Sequence, residues 1–176
     1  MGKTTPILSN EVVSEKLHRI ALEIAEQLSE DDTGIIIIGI EGAGKFGIYG
    51  AGKIIAGAIA MHLQQYLSVP LKIISLHLDK HAPAVITLSE ELNFDNKHVL
   101  LVDDVSNTGK TLLYALKPFM QFHPKSIQTI VLVERMHKQF PVKTDYVGYS
   151  IATAPDDYVR VDEINGDITA VIVSGD

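Results

Sequence analysis

Four consecutive isoleucines, Ile35 to Ile38, constrain this chain more than any other feature. A half-exposed strand alternates apolar and polar residues, so an unbroken β-branched run predicts a strand covered on both faces. Such a strand belongs to a parallel sheet with helices on either side. His98-Val99-Leu100-Leu101-Val102 repeats the signal, and Leu71–Leu78 and Ile127–Val133 add two more strands. The chain has 176 residues, 46% hydrophobic and 21% charged, long enough to bury about two-thirds of its unfolded surface. A single domain over 1–176 is expected, since domains run to about 150 residues.

Helical segments separate these strands. Val13, Leu17, Ile20, Ala21, Ile24 and Leu28 form one apolar stripe, which predicts a helix over Asn10–Ser29 with Asn10 as its N-cap. A glycine-rich turn from Gly39 to Gly47 leads into a small-residue helix over about Ile48–Leu67, and another helix is expected over Lys110–Phe122. Asp79–Asn96 reads as irregular. The alternation predicts an α/β fold, an open and mostly parallel sheet flanked by helices. Tyr146–Ile151, Tyr158–Val161 and Ile168–Val173 read as short strands of an appendage or edge extension, with Asn165-Gly166 as a hairpin turn.

Fifteen Lys and Arg against 22 Asp and Glu give a net charge of −7. That balance argues against nucleic acid and anionic membranes as partners, while leaving room for a small anionic ligand in a local pocket. The absence of cysteine removes disulfides, thiolate metal sites and cysteine nucleophiles. No secretory leader pattern and no membrane-length apolar run is visible, so a cytoplasmic location is expected.

The chemistry concentrates in Val99–Thr111. There an apolar strand ends at two adjacent carboxylates, Asp103 and Asp104, and Val105-Ser106-Asn107-Thr108-Gly109-Lys110-Thr111 turns into a helix. In open α/β sheets ligands sit beyond the carboxyl ends of the strands. Free amides of a turn that opens a helix suit a phosphate, and paired carboxylates suit a vicinal diol. A phosphate at one end and a diol at the other describe a ribose 5-phosphate.

This segment resembles the phosphoribosyl pyrophosphate (PRPP) signature of the type I phosphoribosyltransferases. The resemblance implies that family's fold, with a small hood built from C-terminal and N-terminal segments. It puts Asp103, Asp104 and Asn107 at the catalytic positions and Asp103 through Thr111 around PRPP, the two carboxylates on the ribose hydroxyls and Ser106–Thr111 as the 5-phosphate loop. Ile40-Glu41-Gly42, continuing to Phe46, is similar to the family's pyrophosphate loop. Val131–Arg135 and Lys143–Gly148 look like the strand and hood of hypoxanthine-guanine enzymes and of pyrimidine operon regulators with uracil phosphoribosyltransferase activity. Tyr158 and Val159 then fall where a base binds, and Asp162 where Mg2+ is reached through ligand and water. Mg2+ is the implied cofactor, and a homodimer or tetramer the implied assembly.

Three departures from the pattern narrow the function. Asn107 stands where oxopurine enzymes carry an Asp that serves as general base, and an amide takes no proton at neutral pH. Glu134 stands where they carry a Lys that reads the 6-oxo group. Glu41 occupies a loop position that is often Lys, and the flap between Leu78 and Val99 is short, with Lys80, His81 and Lys97 as its basic residues. The expected activity is transfer of the 5-phosphoribosyl group from PRPP to a nucleobase, a pyrimidine before a 6-oxopurine. The alternatives are a PRPP- or nucleotide-binding protein without catalysis and a pyrimidine-operon-type regulator. Gly39–Lys45 has P-loop spacing, but Phe46 replaces the Ser or Thr that would bind Mg2+. The alternation His77-Asp79-His81 lacks the further ligands of a metal site.

Overall fold

The computed structural model describes residues 3–42 and 50–175. In chain order the elements are β1 (Thr4–Leu8), α1 (Asn10–Leu28), β2 (Ile35–Glu41), α2 (Gly52–Leu63), β3 (Leu71–Leu78), β4 (Ile86–Leu88) and β5 (His98–Ser106). They continue with α3 (Lys110–Ala115), β6 (Ser126–Arg135), β7 (Tyr146–Ile151), β8 (Tyr158–Ile164) and β9 (Asp167–Val173). Six strands form the main sheet in the order β4-β3-β2-β5-β6-β7, and β1-β9-β8 form a second, three-stranded sheet. Every pairing of the main sheet is parallel except that of β3 with β4. The fold is therefore α/β with a parallel-rich sheet flanked by helices.

The isoleucine run serves two cores at once. Ile35 and Ile37 pack with Leu17, Ile20 and Ile24 of α1 and with Ile55 and Ile59 of α2. Ile36, Ile38 and Ile40 face the opposite side, with Leu112, Phe119 and Phe94. Phe94 meets the Phe119 and Phe122 rings edge-on, at 4.9 and 5.3 Å between centroids. Successive residues of a strand point to opposite faces, so a run apolar at every position fits a sheet covered on both.

Several boundaries differ from the sequence reading. The α1 cap is Ser9, whose hydroxyl accepts the Val12 amide, and Asn10 is already helical. The side chain of Asn10 instead reaches β9, where it accepts the Ile168 amide and donates to Asp167. Helix α2 is shorter than expected. Helix α3 stops at Ala115 and is followed by a 3-10 turn over Lys117–Phe119 that contains Pro118, a residue that cannot continue an α-helical ladder. Strand β7 joins the main sheet beside β6, leaving β8 and β9 as the hairpin of the small sheet. Asn165 and Gly166, at φ 55° and 92°, make its turn. The third strand of that sheet is β1, unforeseen in the sequence, pairing with β9 from Thr4↔Val173 to Leu8↔Ala170. The small sheet closes on α1 and the main sheet through Leu8, Val161, Ile168 and Ala170.

Candidate functional site

The chain leaves β2 toward β3 on one side and returns to β5 on the other. The crevice between the carboxyl ends of β2 and β5 is thus the switch point of the sheet, where open α/β folds bind ligands. Pairing of β2 with β5 ends at Gly39↔Val102, whereas β5 stays on β6 as far as Ser106↔Glu134. Strand β5 therefore runs four residues past Val102, and the expected turn begins only after Ser106. The start of α2 fills the gap between the diverging strands. A Cβ at Gly52 would lie 2.4 Å from the Ile40 carbonyl and 2.8 Å from that of Val102, so only glycine fits there.

Asp103 and Asp104 stand where β5 has lost its β2 neighbour. They line a cavity of about 280 Å³ together with Lys80, Gly50, the rest of the segment Asp103–Leu112 and the β8 residues Tyr158–Val161. Asp103 is fully buried and Asp104 nearly so. Lys80 bridges them, its Nζ 3.0 Å from Asp103 Oδ1 and 3.2 Å from Asp104 Oδ1. Asp104 also accepts the Val105 amide on Oδ1 and the Ala51 amide on Oδ2. Asp103 Oδ1 accepts the Asp104 amide, while its Oδ2 is buried with no hydrogen-bond partner among the described residues.

Burial pushes the Asp103 carboxyl up to about 7, against the pull of Lys80. Burial is also the largest influence on Asp104, but Lys80, the contact with Asp103 and the Val105 amide outweigh it and hold that group below the ordinary value. For Lys80, burial works against the charge, yet the two carboxylates raise its pKa above that of an ordinary lysine.

Beyond the carboxylates, Gly109 caps α3 in the left-handed region at φ 87°. Thr108 Oγ1 accepts the Lys110 amide, and the Thr108 carbonyl accepts the amides of Gln139 and Phe140. Asn107 Oδ1 accepts from Arg135 Nη1 at 3.1 Å, and Arg135 Nη2 donates to the Ala154 carbonyl. Lys138 Nζ contacts Ser106 Oγ and lies 3.2 Å from Glu134 Oε1. Position 134 therefore presents an ion pair rather than a bare carboxylate.

The cavity gathers the whole Asp103–Thr111 segment with Tyr158 and Val159. Other candidates lie off it. Ile40 is buried in β2, Glu41 pairs with Lys53 and His77, and Gly42 packs on the Leu78 carbonyl. The rest of that loop, from Ala43, is outside the described residues. Asp162 is bound by Arg160 through both its oxygens, at 2.8 and 3.0 Å. Of the segment 79–96 only Lys80 lines the cavity. Lys80, Gly50, Leu112, Arg160 and Val161 are the lining residues that sequence reasoning did not assign to the site; the one signal for Lys80 was a basic residue two positions after a strand.

Asp103 and Asp104 are hard oxygen donors of the kind Mg2+ prefers, and Asp103 Oδ2 is the oxygen with capacity left. Among the described residues no group of three or more His, Cys, Asp or Glu is placed to hold a metal ion. That donor set fits an ion arriving with a phosphate-bearing ligand, since Mg2+ commonly binds through one or two carboxylates and substrate phosphates. No helix among the described residues is long and apolar enough to cross a membrane.

Comparison with known proteins agrees with this fold. A family model for the phosphoribosyl transferase domain matches residues 12–164. Among curated relatives, the bifunctional protein PyrR of Leuconostoc mesenteroides is 29% identical, covering 95% of this chain and 97% of its own. That of Limosilactobacillus reuteri is 33% identical, covering 91% and 93%. Among solved structures, the hypoxanthine phosphoribosyltransferase of Trypanosoma cruzi superposes with a TM-score of 0.76 at 18% identity, covering 98% of this chain and 97% of the other.

Proposed function

The chain belongs to the type I phosphoribosyltransferase family, and from that premise we propose that its cavity binds PRPP and transfers the 5-phosphoribosyl group to a nucleobase, a pyrimidine in preference to a 6-oxopurine. The observation that carries this reading is the cavity itself. It is lined by two buried carboxylates, by the turn that opens α3 and by an aromatic residue of β8, Tyr158. The carboxylates accept the ribose hydroxyls, and the amides and hydroxyls of Ser106–Thr111 take the 5-phosphate. Tyr158 and Val159 cover the base.

In this mechanism the donor is held at both ends, so the anomeric carbon is fixed in front of the ring nitrogen that attacks it. The carboxylates also lie close to the sugar as it becomes positive, which favours an oxocarbenium-like transition state. Mg2+ bound to the donor would neutralise the departing pyrophosphate, with Asp103 the residue that has an oxygen to offer it. The side chain of Asn107 is held by Arg135 and, as an amide, accepts no proton from a purine. The preference for a pyrimidine rests on that residue, because Lys138 neutralises Glu134. On the outward side of α2, Ile54 and Met61 are exposed, which supports the expected homodimer or tetramer.

The test is pyrophosphate release on incubation with PRPP, Mg2+ and each common base in turn, with uracil expected to give the highest rate. Release with hypoxanthine or guanine alone would overturn the pyrimidine preference. Calorimetric PRPP binding without turnover on any base would make the protein a non-catalytic binder. Binding to a pyrimidine leader RNA, falling steeply with salt, would restore the regulatory reading despite the net charge of −7.

A further inference from the structure

Adjacent buried carboxylates repel each other and call for a cation between them. In this protein that cation is part of the chain. Lys80 lies two residues beyond β3 and reaches across the end of β2 to Asp103 and Asp104 on β5, with 18% of its side chain exposed. Its path runs between two glycines that flank the segment 43–49. A Cβ at Gly42 would lie 3.4 Å from Lys80 Cγ, and one at Gly50 would lie 3.1 Å from Lys80 Nζ. Gly50 N donates to the Gly42 carbonyl at 3.2 Å, which holds the two sides of this slot together. A larger residue at Gly50 would press on the ammonium itself.

We propose that Lys80 is a resident cation that closes the Asp103–Asp104 pair to divalent metal ions in the free protein and leaves it to the hydroxyls of a ligand and to an ion carried in by that ligand. A lysine ammonium is a compact point charge with three N–H donors, two of which are used on the carboxylates among the described residues. It takes one oxygen from each carboxylate. The other oxygen of Asp104 accepts the Ala51 amide, so among the described residues Asp103 Oδ2 is the oxygen of the pair left without a hydrogen bond. One lone oxygen is too little to capture a hydrated divalent cation, but it is enough to accept one hydroxyl hydrogen bond. Any divalent ion in the working site therefore enters bound to the ligand. The choice of hydroxyls as the ligand groups rests on the phosphoribosyl reading; the exclusion of metal ions does not.

The experiment uses Mn2+ alone, without PRPP, so its outcome is independent of whether the protein proves to be a transferase. Thermal unfolding and water-proton relaxation are followed as Mn2+ is titrated into the full chain, wild type and Lys80→Met. Removing the ammonium is expected to open a divalent site. In Lys80→Met, Mn2+ should bind at least tenfold more tightly than in wild type and raise the melting temperature saturably, as a ligand of the native state does. Asp103→Asn in the Lys80→Met background should abolish that response. If Lys80→Met does not fold in the presence of a chelator, Lys80→Gln, which retains an N–H donor, gives the same comparison. An equal Mn2+ response in wild type, or none in the Lys80 variants, overturns the proposal.

Discussion

Asn10 and Ile168, 158 positions apart in sequence, are joined by a hydrogen bond of 2.9 Å from the Ile168 amide to Asn10 Oδ1. The same side chain donates to Asp167 Oδ1 at 3.0 Å. One residue at the start of α1 thus holds the β8–β9 hairpin against the body of the protein. Asn10→Ala leaves the Ile168 amide without its partner and should cost about 1 kcal/mol, roughly 2–4 °C in melting temperature for a chain of this size. Because the hairpin carries Tyr158 and Val159, which line the cavity and are assigned to the base, the KM for the nucleobase should rise as well. A variant with unchanged melting temperature would show that the contact contributes nothing.

Two glycines of α2 should respond to alanine with opposite signs. At Gly52 the new methyl would meet the Ile40 and Val102 carbonyls at 2.4 and 2.8 Å, and main chain cannot move aside cheaply. Overpacking of this kind costs about 1–3 kcal/mol or more. At Gly57 nothing lies within 4 Å, so alanine should stabilise the helix by roughly 0.5–1 kcal/mol. Urea unfolding of the two variants measures both effects.

A third prediction concerns acid. Asp31 accepts hydrogen bonds from Lys125, Thr33 and His98, which hold its carboxyl well below the usual carboxylate range. A carboxylate depressed on folding contributes stability that is present above its unfolded pKa of about 3.9 and lost as pH falls below it. Wild type should therefore exceed Asp31→Asn in stability at pH 7, and the gap should narrow as pH is lowered from about 5 toward 2. A gap of constant size over that range would show that Asp31 acts by packing alone.

Asp103 has the reverse sign. Burial raises its carboxyl to about 7, so folding favours the protonated form, and the stability it provides is lost as pH rises from about 4 to 7. Asp103→Asn removes that dependence. The stability of the variant relative to wild type should improve between pH 4 and pH 8, while PRPP affinity drops roughly tenfold or more through loss of an ionised acceptor. Calorimetry and chemical unfolding on the same samples separate the two effects. Unchanged PRPP binding would overturn the ribose assignment.

The central strands β2, β5 and β6 were legible in the sequence because burial on both faces leaves an unbroken apolar run, whereas the three-residue β4 fell in a stretch read as irregular and β7 was read as part of an appendage. The segment Asp103–Thr111 was legible because its polar residues follow such a run directly. Strand β1 was not. It is short, contains Pro6 and is mostly exposed, and proline in a run points away from a central strand. The length of β5 was hidden for another reason. Asp103 and Asp104 look like the end of a strand, yet β6 continues to pair beyond them. Lys80 is the clearest omission at the site. It meets its carboxylates across 23 and 24 positions of sequence, and the glycines that let it through form no pattern with it along the chain.

The pairing of β1 with β9 also sets an order of events in time. During synthesis β1 emerges before every other described strand, and its only described partner strand, β9, emerges after all of them. Helix α1 and the central strands have their neighbours within reach much earlier, and contacts of short sequence separation form ahead of distant ones. The small sheet must therefore close last, and it brings the Tyr158–Val161 wall with it. A ribosome-bound chain truncated before β9 would carry the paired carboxylates of β5 without a seated Tyr158–Val161 segment, so ligand-binding capacity should appear abruptly when β9 is added.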